Sequence, residues 1–197
     1  MEVTETSLPD VVVLCAPKYA DERGFFSETY SRRTFAKSGV LIDFVQDNHS
    51  HSAKTGTIRG LHFQIPPFAQ DKLVRVVRGA ILDVIVDLRH GSPTFGKHES
   101  LVLSATDWKQ LFVPAGFAHG LCTLEDDTEV IYKVSNYYSA AHDKGVRWDD
   151  PAIGIDWPVL PHNAIVSPKD KALPLFAALG HYFNYEGEVN RRKALSA

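Results

Sequence analysis

Apolar residues along this chain recur in short runs rather than in the three-to-four spacing of amphipathic helices. Runs with strand character occupy 11–16, 24–30, 41–46, 57–63, 72–77, 80–88, 98–103, 110–113, 119–124 and 130–137, and Gly, Pro, Asp or Ser separates them. Many short strands at regular spacing predict a mainly β chain, a sandwich or barrel. The clearest run is 80–89. Leu82, Val84, Val86 and Leu88 alternate with Ile81, Asp83, Ile85 and Asp87. This period of two predicts that the purely apolar set faces the core. Arg78-Gly79 reads as a turn that makes 72–77 and 80–88 a hairpin. Two short helices are predicted. One covers 31–38, with Ser31 at its start and Gly39 after its end. The other opens with Ser167-Pro168-Lys169-Asp170, a cap, a proline at the first helical position and an acid in the first turn.

The chain has 197 residues, 44% of them hydrophobic, enough for one core. The longest stretch without Asp, Glu, Lys or Arg is 110–124, broken by Pro114, Gly116 and Gly120. A membrane helix needs ~20 apolar residues, so none is expected. The acidic N-terminus does not read as a secretory signal. Cys15 and Cys122 show no metal-like spacing, which predicts a reduced cytoplasmic protein without a disulfide framework. Residues 186–197 read as a polar tail. Net charge is −3, but residues 18–78 hold ten Lys and Arg against six Asp and Glu, a local +4. That balance gives no reason to expect nucleic-acid or membrane binding.

Several polar residues stand in strand-like surroundings. Thr57-Ile-Arg-Gly-Leu-His-Phe-Gln64 carries Arg59, His62 and Gln64. Strict alternation sends Arg59 and His62 to opposite faces, whereas a bulge at Gly60 brings them to one. Lys72 and Asp83, if directed inward, need partners or a function. Alone, they read first as a surface ion pair. His119 and Tyr132 fit a turn histidine and a packing tyrosine, and Asp170 fits a helix-dipole acid. His49-Ser-His51 has the spacing of paired metal ligands on one strand face, but lacks a fitting carboxylate downstream. Nucleotide-loop, serine-hydrolase and zinc-peptidase motifs are absent from the sequence.

Taken together, the segments resemble the dTDP-4-dehydrorhamnose 3,5-epimerase family. The motifs are Asp21-Glu-Arg-Gly-Phe-Phe-Ser-Glu28, Gln46-Asp-Asn48, Ile58-Arg-Gly-Leu-His-Phe-Gln64 and Asp71-Lys-Leu-Val-Arg-Val-Val-Arg-Gly79. They continue with Asp83-Val-Ile-Val-Asp-Leu-Arg89, Ser92-Pro-Thr-Phe-Gly96, Val113-Pro-Ala-Gly-Phe-Ala-His-Gly120, Tyr132, Trp148-Asp-Asp-Pro151 and Ser167-Pro-Lys-Asp170. The resemblance implies a double-stranded β-helix, or cupin-like jelly roll, as a single domain over 1–185. It also implies a homodimer, no organic cofactor and no metal. By the same resemblance His62 is the general base, Asp170 its carboxylate partner, Lys72 the cation beside the substrate's C4 oxygen and Tyr132 the acid on the opposite face. Arg23, Phe26, Glu28, Gln46, Asn48, Arg59, His119, Tyr138, Asp143 and Lys169 fall on substrate-binding positions. Arg23 and Glu28 are expected to reach the partner's site. Asp83 falls on a supporting carboxylate near the His–Lys pair. Asp143 stands where many relatives carry Glu, and His98 where an aromatic is frequent.

The substrate so implied is dTDP-4-dehydro-6-deoxy-D-glucose, whose C4 ketone acidifies the C3 and C5 protons. Epimerisation removes a proton from one face and returns one to the other, with the enolate stabilised between. Three other readings stand beside this one: a relative that epimerises C3 or C5 alone, a metal-dependent cupin oxygenase built on His49 and His51, and a silent sugar-nucleotide binding module.

Overall fold

A computed structural model describes residues 1–187. The tail expected over 186–197 therefore lies outside the described residues from 188 onward. The chain forms β1 (Glu2–Glu5), β2 (Val12–Cys15), β3 (Tyr19–Asp21), β4 (Gly24–Phe26), α1 (Arg32–Lys37), β5 (Gln46–Ser52), β6 (Thr57–Gln64), β7 (Lys72–Arg78) and β8 (Ala80–Asp87). It continues through β9 (Arg89–His90), β10 (His98–Ser104), β11 (Lys109–Val113), β12 (Phe117–Thr123), β13 (Thr128–Val134), β14 (Asp143–Gly145), β15 (Ile165–Val166), α2 (Pro168–Lys171) and β16 (Phe183–Asn184).

Two antiparallel sheets face each other. One has the order β1-β2-β11-β7-β13-β5; the other has β10-β8-β12-β6-β14, with β15 added beside β6. This is a double-stranded β-helix, in which inward residues of both sheets share one interior. Val74, Val76, Ile81, Ile85, Leu103, Leu111, Val113, Phe117 and Val130 fill its dry part. The outer face of the second sheet is also covered. Leu61, Phe63, Val84, Val86 and Leu88 pack there against Ile153, Ile155, Trp157 and Phe176 from the chain after β14. The outer face of the first sheet packs Leu14, Leu73 and Phe112 against Phe35 of α1 and Val40.

Several sequence expectations change. Gly79 does not close a hairpin. β7 pairs with β11 and β13, whereas β8 pairs with β10 and β12. The turn is a corner between sheets, and a Cβ on Gly79 would lie 2.4 Å from Thr128 Oγ1. The apolar face of β8 is buried, but it is the covered outer face. The interior receives Ile81, Asp83 and Ile85, and Asp83 and Asp87 are both 0% exposed. Alternation cannot tell inside from outside when both faces are buried. Finally, 41–45 is not a strand. Ile42 and Phe44 pack near α1, and Val45 N–H donates to Val134 O just before β5 begins. The runs at 24–30 and 130–137 are also shorter as strands, stopping at Phe26 and Val134. Both helices form where their caps predicted, with Ser167 Oγ accepting from Asp170 N–H.

Candidate active site

The interior divides along the strands. Val76 faces the dry core, Val74 and Val130 lie at its boundary with a cavity of about 830 Å³, and Lys72, Tyr132, Gln46, Asn48 and Ser50 face that cavity, where β5, β13 and β7 oppose β6, β12 and β14. That volume lies within the ~300–1,000 Å³ common for small-molecule sites.

Gly60 makes the site possible. In the β6–β12 ladder Arg59 lies opposite Leu121 and His62 opposite His119, so Gly60 and Leu61 together span the place of Gly120. This bulge turns Arg59, His62 and Gln64 to the cavity while Ile58, Leu61 and Phe63 pack outside. Gly60 has φ 128°, and a Cβ there would come within 2.6 Å of Gly120 Cα. Only glycine tolerates both demands.

His62 Nε2 lies 2.7 Å from Asp170 Oδ1, and the N–H of Gly60 donates to Asp170 Oδ2 at 3.2 Å. Burial pushes the Asp170 carboxyl upward. The hydrogen bond from His62, the His62 charge, and the Gly60 and Ser167 contacts outweigh this and hold it below the usual range. An ionised carboxylate only accepts, so the proton of a neutral His62 sits on Nε2 and its Nδ1 lone pair is free. Lys72 is buried, and its Nζ donates to His62 O at 3.2 Å. Burial lowers its pKa to about 8, against the opposing pull of Asp83 and Asp143. Tyr132 is raised by burial and by Asp143, with Arg59 acting the other way, so the phenol holds its proton.

A second buried pair joins His119 Nε2 to Asp83 Oδ1 at 2.7 Å. Asp83 Oδ2 is buried without a hydrogen-bond partner among the described residues. The expected supporting carboxylate therefore grips His119 and acts on Lys72 through its charge. Arg59 is anchored by Ser52 Oγ and His51 O. Asp143 Oδ2 accepts from Lys169 Nζ at 2.5 Å and from Tyr138 OH at 3.3 Å. The Asp143 bond raises the Lys169 pKa. Gln46 Nε2 donates to Asn48 Oδ1 at 2.9 Å.

The cavity thus gathers His62, Lys72, Tyr132, Asp170, Gln46, Asn48, Arg59, His119, Tyr138, Asp143 and Lys169. Arg23, Phe26 and Glu28 do not reach it. Arg23 pairs with Asp21, Glu28 accepts from Thr34 Oγ1, and Phe26 is 70% exposed. Ser50 and Gln70 line the cavity without having been singled out. The alternation Gln46, Asn48, Ser50 was a signal for the first, whereas Gln70 stands in an irregular segment that carries none. His49 and His51 lie on the outer face of β5, where they meet the separate carboxylates of Glu129 and Asp127. They do share a face, but it points away from the cavity, which removes the basis for an oxygenase site built on them.

The family model described as dTDP-4-dehydrorhamnose 3,5-epimerase matches residues 5–178. The dTDP-4-dehydrorhamnose 3,5-epimerase of Sinorhizobium fredii is 51% identical over 179 residues, covering 91% of each chain. Among solved structures, that of the Bacillus anthracis dTDP-4-dehydrorhamnose 3,5-epimerase, with TDP and PPi bound, is 53% identical. It covers 88% of this chain and 98% of its own, with a TM-score of 0.86. The Legionella pneumophila dTDP-6-deoxy-D-glucose-3,5-epimerase, in complex with dTDP-4-keto-L-rhamnose, is 36% identical. It covers 94% of this chain and 99% of its own, with a TM-score of 0.89. By model, sequence and fold, this chain belongs to the dTDP-4-dehydrorhamnose 3,5-epimerase family.

Proposed function

We propose that the protein epimerises dTDP-4-dehydro-6-deoxy-D-glucose at C3 and C5, giving dTDP-4-dehydro-L-rhamnose. The observation that carries this reading is the His62–Asp170 pair, with Lys72 and Tyr132 around the same cavity. The Nδ1 lone pair of His62 takes the proton from C5 or C3, and the resulting imidazolium is stabilised by Asp170. Electron density moves to the C4 oxygen, where the Lys72 ammonium stabilises the enolate. The half-buried phenol of Tyr132 returns a proton from the opposite face, which inverts the carbon. Arg59 and Lys169 supply cations for the diphosphate, and Arg suits its oxygens through forked contacts.

The reading includes a single jelly-roll domain over 1–185, a cytoplasmic location and a homodimer. The free thiols of Cys15 and Cys122 support a reducing compartment. Among the described residues, no helix is long and apolar enough to cross a membrane. The dimer is supported by the exposure of Arg23 and Phe26 away from their own cavity. In this reading Arg23, Phe26 and Glu28 complete the partner's site. Mixing His62→Asn with Arg23→Ala chains is then expected to restore roughly a quarter of wild-type activity, because half of the random pairs hold one intact site. Activity no greater than that of the separate variants would contradict shared sites.

Incubation with substrate in D2O tests the reaction. Deuterium at both C3 and C5 is expected. Label at one carbon alone would make the protein a single-site epimerase, and none at either would sink the epimerase reading.

A further inference from the structure

Gln64 stands two residues after His62 on β6, faces the cavity and is 4% exposed. Its side-chain amide is held by backbone. Nε2 donates to Phe68 O at 2.7 Å and to Tyr137 O at 3.1 Å, and Oε1 accepts from Ser139 N–H at 2.6 Å. Both N–H donors are therefore occupied within the protein, which leaves none for a ligand. The chain partners lie in the irregular segments after β6 and after β13. Gln70 Nε2 bonds Asn136 O, and Asn136 Nδ2 bonds Pro67 O, tying the same two segments together.

The residue between the two peptide groups that Gln64 grips is Tyr138. Its ring is 60% exposed at the cavity mouth, and its hydroxyl donates to Asp143. An exposed ring at a polar cavity is a surface on which a planar base can stack. Fixing the backbone on both sides removes an ordering cost that would otherwise weaken binding.

We propose that Gln64 is a positioning residue, which pre-sets the Tyr138 ring for nucleobase stacking by clamping the backbone on both sides of it. The inference rests on the nucleotide-sugar reading of the cavity. It assigns Gln64 an effect on affinity rather than on the proton-transfer steps.

A double-mutant cycle tests it, with dTDP as the probe and calorimetry as the readout. Tyr138→Ala is expected to weaken dTDP binding roughly tenfold, the scale of one lost base–aromatic stack. Gln64→Ala and Gln64→Glu are expected to do the same. The glutamate keeps an acceptor for Ser139 but sets an oxygen against two carbonyls. Adding Tyr138→Ala to either Gln64 variant should then cost little more, since both changes remove one interaction. KM should rise while kcat stays within about threefold. Additive losses, unchanged affinity in the Gln64 variants, or a fall in kcat at constant KM would overturn the proposal.

A measurement on the unsubstituted protein stands independent of how the variants fold. Without dTDP, the Ser139 amide should be protected from hydrogen exchange, and exchange at the free-peptide rate would refute a pre-set loop. Binding of dTDP needs no turnover. A protein that binds dTDP with this coupling but gives no C3 or C5 exchange would thus retain the clamp and lose the epimerase reading.

Discussion

Replacing Asp170 with asparagine alters a single atom, and the structure says which way the new amide must face. Asp170 Oδ2 accepts from the N–H of Gly60, while Oδ1 meets His62 Nε2. Asp170 is only 4% exposed, so water cannot readily replace either partner. If the amide turned its NH2 toward Gly60, two donors would face each other in a buried site, at a cost of about 1–3 kcal/mol. The amide oxygen therefore stays on Gly60 and its NH2 meets His62 Nε2. That nitrogen must then accept, the imidazole proton moves to Nδ1, and the lone pair is turned away from the substrate. The variant also loses the negative charge that stabilises the imidazolium. Both effects act on one general-base step, so Asp170→Asn should slow exchange by roughly 10²–10⁴-fold. Deuterium wash-in at C3 and C5, followed by NMR, reads the rate, and dTDP titration checks that binding is retained. Exchange within about threefold of wild type, with binding intact, would refute the assigned tautomer and base.

The other expectations follow from the same geometry. Lys72 must carry its proton to stabilise the enolate, and burial lowers its pKa to about 8. Activity should be present below that pH and decline above it, and Asp83→Asn should move the limb to lower pH by removing a carboxylate that favours the ammonium; a flat kcat/KM profile from pH 7 to about 10 would contradict this. Tyr132→Phe removes the proton donor of the opposite face but leaves His62. Wash-in by removal and return on one face should persist while inverted product falls by about 10²-fold or more, and undiminished product would exclude Tyr132 as the acid. Gly60→Ala should lower stability in urea by more than ~1 kcal/mol and reduce exchange, because the Cβ meets Gly120 at positive φ. A variant as stable as wild type would show that the β6 bulge does not require glycine.

The local features were legible because local physics sets them. Period-two alternation marks β8, and short apolar runs mark β6 and β13. Ser167-Pro168 announces α2, and a glycine between Arg59 and His62 already suggested the bulge that turns both inward. The motifs also pointed to the set that surrounds the cavity, although His49-Ser-His51, with the spacing of ligands, turned out to lie on the outer face of β5.

What the sequence alone determined was therefore the long strands between 57 and 134, the short helices and the residue types available for chemistry. The tertiary structure decided direction and partnership. The alternation in β8 has no sign, so the covering segment after β14 was needed to show that Asp83, not Leu82, belongs to the interior. Gly79 has the same turn chemistry in a hairpin as at a corner, and only the neighbours of β7 and β8 distinguish them. His62 meets Asp170 across 108 positions, and His119 meets Asp83 across 36. Local propensity carries no information over such separations. The charge state of Lys72 likewise depends on burial produced by elements distant in sequence, because desolvation belongs to the folded environment and not to the side chain.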